Sequence, residues 1–85
     1  MNQILVHYRI ADFARFKTAF DADAEDRGNS GLTLLQLWRE GAEGVWALFS
    51  SGNAARSREY LTGAGKVFES QAGVSAAEIH ILETA

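Results

Sequence analysis

The stretch from Leu32 to Trp38, reading Leu-Thr-Leu-Leu-Gln-Leu-Trp, most constrains what this chain can fold into. Successive side chains of a strand point to opposite faces, so a strand on a sheet with one wet face alternates apolar and polar residues. Here apolar residues fall on both parities: Leu32, Leu34 and Trp38 on one, Leu35 and Leu37 on the other. Read as a strand, the segment needs a cover on each face, and 85 residues offer little material for two covers. A second copy of the chain is the expected source of the other one.

Composition points the same way. The length fits one domain, residues 1–85, near the lower end of what a single core stabilises without help. With no cysteine, a disulfide framework and a thiolate metal site are both excluded, which makes oligomerisation the expected stabiliser. A net charge of −3, with eight Lys and Arg scattered and no basic run, argues against a nucleic-acid partner. No apolar run approaches the roughly 18 residues of a membrane span. Met1-Asn2-Gln3 runs into a strand-like segment without the features of a signal peptide, so a cytoplasmic location and no membrane partner are expected. Nothing in the sequence calls for a cofactor or a resident metal.

Ile4 to Ile10 reads as a first strand. Asp12 suits a helix N-cap, and Phe13, Phe16 and Phe20, extended by Ala24, make one apolar stripe on the helix that follows. Arg27-Gly28-Asn29-Ser30-Gly31 carries helix-stop and turn chemistry. After the two-sided strand, the short link Glu40 to Gly44 and a strand over Val45 to Ser50 predict an antiparallel hairpin. A second helix starts after an Asn53 or Ser51 cap. It is expected to break at Thr62-Gly63-Ala64-Gly65, because each interior glycine costs about 1 kcal/mol. Gly73 stops it, and Ala77 to Glu83 is the last strand.

This order predicts the α+β, ferredoxin-like βαββαβ layout: a four-stranded antiparallel sheet with two helices on one face, the first and third strands central and the second at an edge. By parity Ile4, Val6, Tyr8 and Ile10 face the helices, together with Ile79 and Ile81. Leu5, His7 and Arg9 then share the open face with Glu78, His80 and Leu82, joined by leucines and a tryptophan of the second strand. An open face this apolar predicts an interface, and a two-fold homodimer meets the need.

Several segments together resemble the dimeric α+β-barrel superfamily, which includes antibiotic-biosynthesis monooxygenase-like domains. They are Ile10-Ala11-Asp12-Phe13 leading into the aromatic-striped helix, the central hairpin, Ala72-Gly73-Val74, and Glu78-Ile79-His80-Ile81-Leu82. The resemblance implies a homodimer whose sheets form a barrel-like core, with small-molecule pockets between helices and sheet. Its activities include cofactor-independent oxygenation, haem degradation and isomerisation. The helical histidine of the haem-degrading branch has no counterpart between Asn53 and Ala72, and no catalytic residue transfers. The functional expectation is a small apolar or aromatic ligand, with cofactor-independent monooxygenase or isomerase chemistry among the implied activities. The alternative is a non-catalytic dimeric interaction or regulatory domain.

Six residues are candidate ligand contacts: Tyr8, Tyr60, Trp38, Trp46, His7 and His80. A buried tyrosine hydroxyl needs a partner, so Tyr8 and Tyr60 could orient a ligand oxygen if a cavity lies beneath the helices. Trp38 and Trp46 flank the hairpin turn and suit a cross-strand pair or the wall of a planar site. His7 and His80, with Glu78 and Arg9 of like parity, have the chemistry of a base or a metal ligand. Glu78 and His80 lack a metal-ligand spacing, so histidines buried at a dimer interface are the simpler reading. Gly63-Ala64-Gly65-Lys66 lacks the remainder of a phosphate loop and reads as the helix break.

Overall fold

Branched and aromatic residues at alternate positions build the first strand, β1 (Asn2–Ile10), with Ile4, Val6, Tyr8 and Ile10 all buried. The structure is a computed structural model that describes residues 2–63 and 65–85. Met1, at the head of the amino-terminal stretch, and Ala64, inside the expected helix break, lie outside the described residues. After β1 come α1 (Phe13–Ala22), α2 (Ala24–Asn29), β2 (Leu32–Glu40), β3 (Gly44–Ser51), α3 (Ala54–Thr62), α4 (Gly65–Ala72) and β4 (Val74–Glu83). The strands pair antiparallel in the order β2-β3-β1-β4, the ferredoxin-like arrangement, with the two-sided strand at one edge as expected.

Local chemistry sets the ends of the helices. The Asp12 carboxylate accepts from the Arg15 backbone N–H at 3.1 Å, and Asn53 Oδ1 accepts from that of Arg56 at 3.1 Å. Each cap satisfies a donor that has no partner within its helix. Gly73, at φ 73°, ends α4 in the left-handed region that a side chain would resist.

Among the described residues, each of the two expected helical regions forms a pair of short helices. The break between α3 and α4 falls where the glycines predict it, with Gly63 at φ −115° and ψ −94° as the α3 C-cap. The break between α1 and α2 is a correction, because the Phe stripe suggests one continuous helix to Ala24. Asp23 adopts φ −87° and ψ 0°, between helix and turn, and its N–H reaches both Ala19 O and Phe20 O. The bend leaves Ala24 exposed and turns the Arg27 side chain back onto the end of α1.

The core lies between the helices and one sheet face. Val45, Ala47 and Phe49 of β3 join the β1 residues against Phe16, Phe20, Leu61, Phe68 and Ala72. The Phe16 ring lies 5.3 Å from those of Tyr8 and Phe20, and Phe68 meets Phe16 and Phe20 edge-on at 5.9 and 6.0 Å. Burying each such ring contributes about 1.5–3 kcal/mol.

Strand β2 does not keep the parity its sequence suggests. Leu34 is opposite Phe49 but Gln36 is opposite Leu48, so Leu35 is an extra residue in the ladder, a β-bulge. One inserted residue exchanges the faces of everything after it. Leu37, opposite Ala47, therefore sits on the helix side with Leu32 and Leu34, and Trp38, opposite Trp46, on the open side with Gln36. The leucine row expected on the open face is thus largely absent, and Trp38 and the bulged Leu35 stand 45% and 47% exposed. On β4, Ile79 meets the core as expected, whereas Ile81 lies on the helix side in register but beyond the cover of the helices, 37% exposed.

Candidate functional site

Under the helices, Val6, Tyr8, Asp23, Arg27, Tyr60, Phe68 and Glu69 surround a small cavity between α2, α3, α4 and the sheet. Its free space is about 10 Å³, room for one water-sized group. Tyr8 comes from the middle of β1, Asp23 from the α1–α2 bend, Arg27 from α2, and Tyr60 from the last turn of α3. Tyr60 Oη donates to the Asp23 carboxylate. Arg27 lies 7% exposed with Nη1 donating to Phe20 O at 2.5 Å, 3.8 Å from Asp23 Oδ2, and with its guanidinium carbon 3.7 Å from the Phe20 ring centroid.

Two of these groups keep hydrogen-bonding capacity in reserve. Tyr8 is 3% exposed and its hydroxyl has no partner among the described residues. A guanidinium has five N–H donors, and Arg27 spends one in a hydrogen bond. No polar side-chain atom among the described residues is both fully buried and unpartnered, so these spare donors keep some accessible surface, and both residues line the cavity. Burial pushes the Tyr8 hydroxyl pKa well up, and the charge of Arg27 draws it partly back. Burial, followed by the hydrogen bond to Asp23, pushes Tyr60 up in the same way. Desolvation lowers the pKa of Arg27, against the pull of Asp23.

Of the six candidates, the structure brings Tyr8 and Tyr60 together and separates the rest from them. His7 and Trp46 lie on the open face with ring centroids 4.3 Å apart, and Trp46 Nε1 donates to Glu40 Oε1 at 2.8 Å. Trp38 is opposite Trp46 in register, but no ring pairing joins them among the described residues, since Trp46 is turned to His7 and Glu40. His7 and His80 do not meet as a pair. His7 is opposite Glu78 and lies 3.7 Å from Glu40, while the exposed His80 is opposite Leu5 and lies 3.7 Å from Glu78. Arg9 is exposed at the end of the same row. Among the described residues no three acidic, histidine or cysteine side chains cluster to hold a metal ion.

Asp23, Arg27 and Glu69 were not anticipated as site residues. Arg27 follows Phe20 by seven residues, so it continues the stripe of Phe13, Phe16 and Phe20, and Asp23 precedes it by four, the spacing of an acid–base pair on a helix. Those positions are the signals that could have identified them.

Among solved structures, an uncharacterised NIPSNAP domain protein from Burkholderia xenovorans superposes with a TM-score of 0.72 at 16% identity, over 100% of this chain and 95% of that one. A protein from Agrobacterium tumefaciens gives 0.69 at 12%, over 100% and 94%. A variant of SnoaB, a cofactor-independent oxygenase from Streptomyces nogalater, gives 0.67 at 18%, over 98% and 91%. The fold is the ferredoxin-like α+β fold of these proteins. Further structures with this fold include putative antibiotic-biosynthesis monooxygenases from Caulobacter crescentus and a Bacteroides species. No family model and no curated protein matches the sequence. At these identities the likeness concerns the ferredoxin-like fold alone, and chemistry is argued from the site. No described helix is long and apolar enough to cross a membrane.

Proposed function

We propose that this chain binds a small aromatic molecule at the Tyr8–Asp23–Arg27–Tyr60 cluster, as a homodimer paired through the open sheet face. The observation that carries the ligand reading is the pair of deeply buried residues, Tyr8 and Arg27, with unspent donors on one cavity. Polar groups of buried side chains ordinarily find partners, and donors left accessible in a concave site are commonly completed by a ligand or water. The aromatic rings of Tyr8, Tyr60 and Phe68 supply flat apolar walls.

The fold likeness to SnoaB brings cofactor-independent monooxygenase chemistry into the proposal, with isomerisation beside it. Both require a proton to leave the substrate and the resulting anion to be held. The Asp23 carboxylate is the group that can accept that proton, and the Arg27 guanidinium can stabilise an oxyanion. Mass spectrometry of gently purified protein, followed by thermal-shift measurements against small aromatic compounds, tests the proposal. We expect a co-purified molecule or a Tm rise that Tyr8→Phe reduces; no bound species and no shift would refute it.

A second reading has its own support. The inner space admits only a water-sized group, which suits a non-catalytic dimeric interaction or regulatory domain. A dimer without any ligand response would favour it. The dimer itself is supported by the exposed Leu35, Trp38 and Leu82 around half-buried Leu5, Trp46 and Leu48.

A further inference from the structure

Resting on the ligand site proposed above, we infer that Tyr60 occupies that site's recognition corner, and that the ligand binds through an aromatic hydroxyl that takes the place of Tyr60 on Asp23.

The inner cavity has room for one oxygen-sized group, so only the end of a ligand can sit there. Outside it, a groove of about 490 Å³ runs between α2 and the α3–α4 pair, lined by Asn29, Arg56, Val67 and Gln71. Asp23, Tyr60 and Phe68 line both spaces, so the Tyr60–Asp23 hydrogen bond belongs to their shared wall. A ligand lying in the groove therefore reaches the inner donors through that bond. Val67, 64% exposed, gives the groove an apolar surface for a ring.

The chemistry of the corner selects the group. Tyr8 and Arg27 offer donors, which ask for a lone pair, whereas Asp23 is an acceptor and asks for a proton. A hydroxyl supplies both from one atom. An ether has no proton for Asp23, and an ammonium has no lone pair for Arg27. A carboxylate would add negative charge beside Asp23 and Glu69. The corner's charges are otherwise nearly balanced, Arg27 against Asp23 at 3.8 Å and Glu69 against Lys66 at 3.3 Å. That Asp23 receives an aromatic hydroxyl is visible directly, since Tyr60 donates one.

Displacing Tyr60 does not require the sheet to move. Tyr60 stands three residues before Gly63, where the helix breaks, and the hydroxyl has no other partner among the described residues. The end of α3 can thus yield while β1 keeps Tyr8 fixed in the core.

The test is an NMR titration of the full, isotope-labelled chain with two probes, phenol and its methyl ether anisole. Phenol stays protonated at neutral pH, as tyrosine does. We expect phenol to shift the amide signals of Asp23, Arg27 and Tyr60, and anisole to bind at least about ten-fold more weakly, the worth of a hydrogen bond to a charged group. Tyr60→Phe leaves the ring but frees the Asp23 carboxylate, and it should tighten phenol binding by about three- to ten-fold. Tyr8→Phe should weaken it. Equal binding of the two probes, or Tyr60→Phe binding phenol no better than the parent, overturns the inference while leaving a ligand site standing. No shift with either probe removes the site reading and this inference together.

Discussion

Burying a guanidinium beside two phenols costs desolvation free energy, and the residues around Arg27 offset it with a carbonyl, a carboxylate and a ring face. Arg27→Met should destabilise the protein by about 2–3 kcal/mol in urea denaturation, because Asp23 loses its countercharge in a largely buried setting. A change below about 0.5 kcal/mol would show that the pair is nearly neutral. Ser57 makes a separate case. Fully buried, it bonds Ser51 Oγ at 2.8 Å and Ser30 O at 2.9 Å, tying α3 to β3 and to the turn before β2. Ser57→Ala should cost about 1–2 kcal/mol by stranding the buried Ser51 hydroxyl. Tyr8 and Tyr60 also fix the alkaline response. Their folded-state pKa values lie above the ordinary value of 10.0, so the folded state holds its protons more tightly than the unfolded state does. Stability is then complete below about pH 10 and falls as pH rises further, since the unfolded chain releases those protons first. Tyr8→Phe should flatten that decline in a pH series of urea midpoints; an unchanged slope would contradict the burial of its hydroxyl. At this scale Tyr8 and Tyr60 were legible as aromatics with a polar tip, Tyr8 at a helix-facing position of β1 and Tyr60 on a helix. Asp23 and Arg27 were not, because the same spacing serves a solvated ion pair equally well.

Among the elements, α1–α2 and β2 depart from simple periodicity. A stripe at helical spacing states which residues share a face, but carries no mark of where the axis turns. The chain turns at Asp23, and Arg27 then donates to the Phe20 carbonyl at the end of α1. The α3–α4 break was legible because glycine acts locally. In β2 the bulge at Leu35 resolves the two-sided pattern: Leu32, Leu34 and Leu37 share the helix side across an inserted residue. Deleting Leu35 should therefore retain the fold and leave Leu37 opposite Ala47 and Trp38 opposite Trp46. Cross-strand nuclear Overhauser contacts check this, and a shifted register would refute it. Deleting Leu37 should instead move Trp38 toward the core face and destabilise the hairpin.

Over the whole molecule, one sheet face is covered by helices and the other carries a mixed surface of Leu5, Trp46, Leu48, Trp38 and Leu82 among His7, Arg9, Glu78 and His80. If two copies pair through it, sedimentation at micromolar concentration should give twice the 9.3 kDa chain mass, and Leu48→Glu should return the monomer. A parent that sediments as a monomer would remove the dimer and leave the apolar part of that face to another partner. Pairing would also bring His7 and Glu40 into an interface, away from the Tyr8 cavity, which lies on the other side of the sheet.

By itself the sequence determined the order of strands and helical regions, the strand arrangement, the Asp12 cap and the helix-facing row of β1, and it narrowed the second cap to Asn53 or Ser51. These follow from alternation, capping chemistry and glycine, all of which act over a few residues. Only the tertiary structure decided the bulge in β2, the bend at Asp23 and the assembly of Tyr8, Asp23, Arg27 and Tyr60 around one cavity. Each of these depends on which partner a residue meets across the fold. Strand register and the burial of a charge are set by packing between distant segments, and local pattern does not encode them.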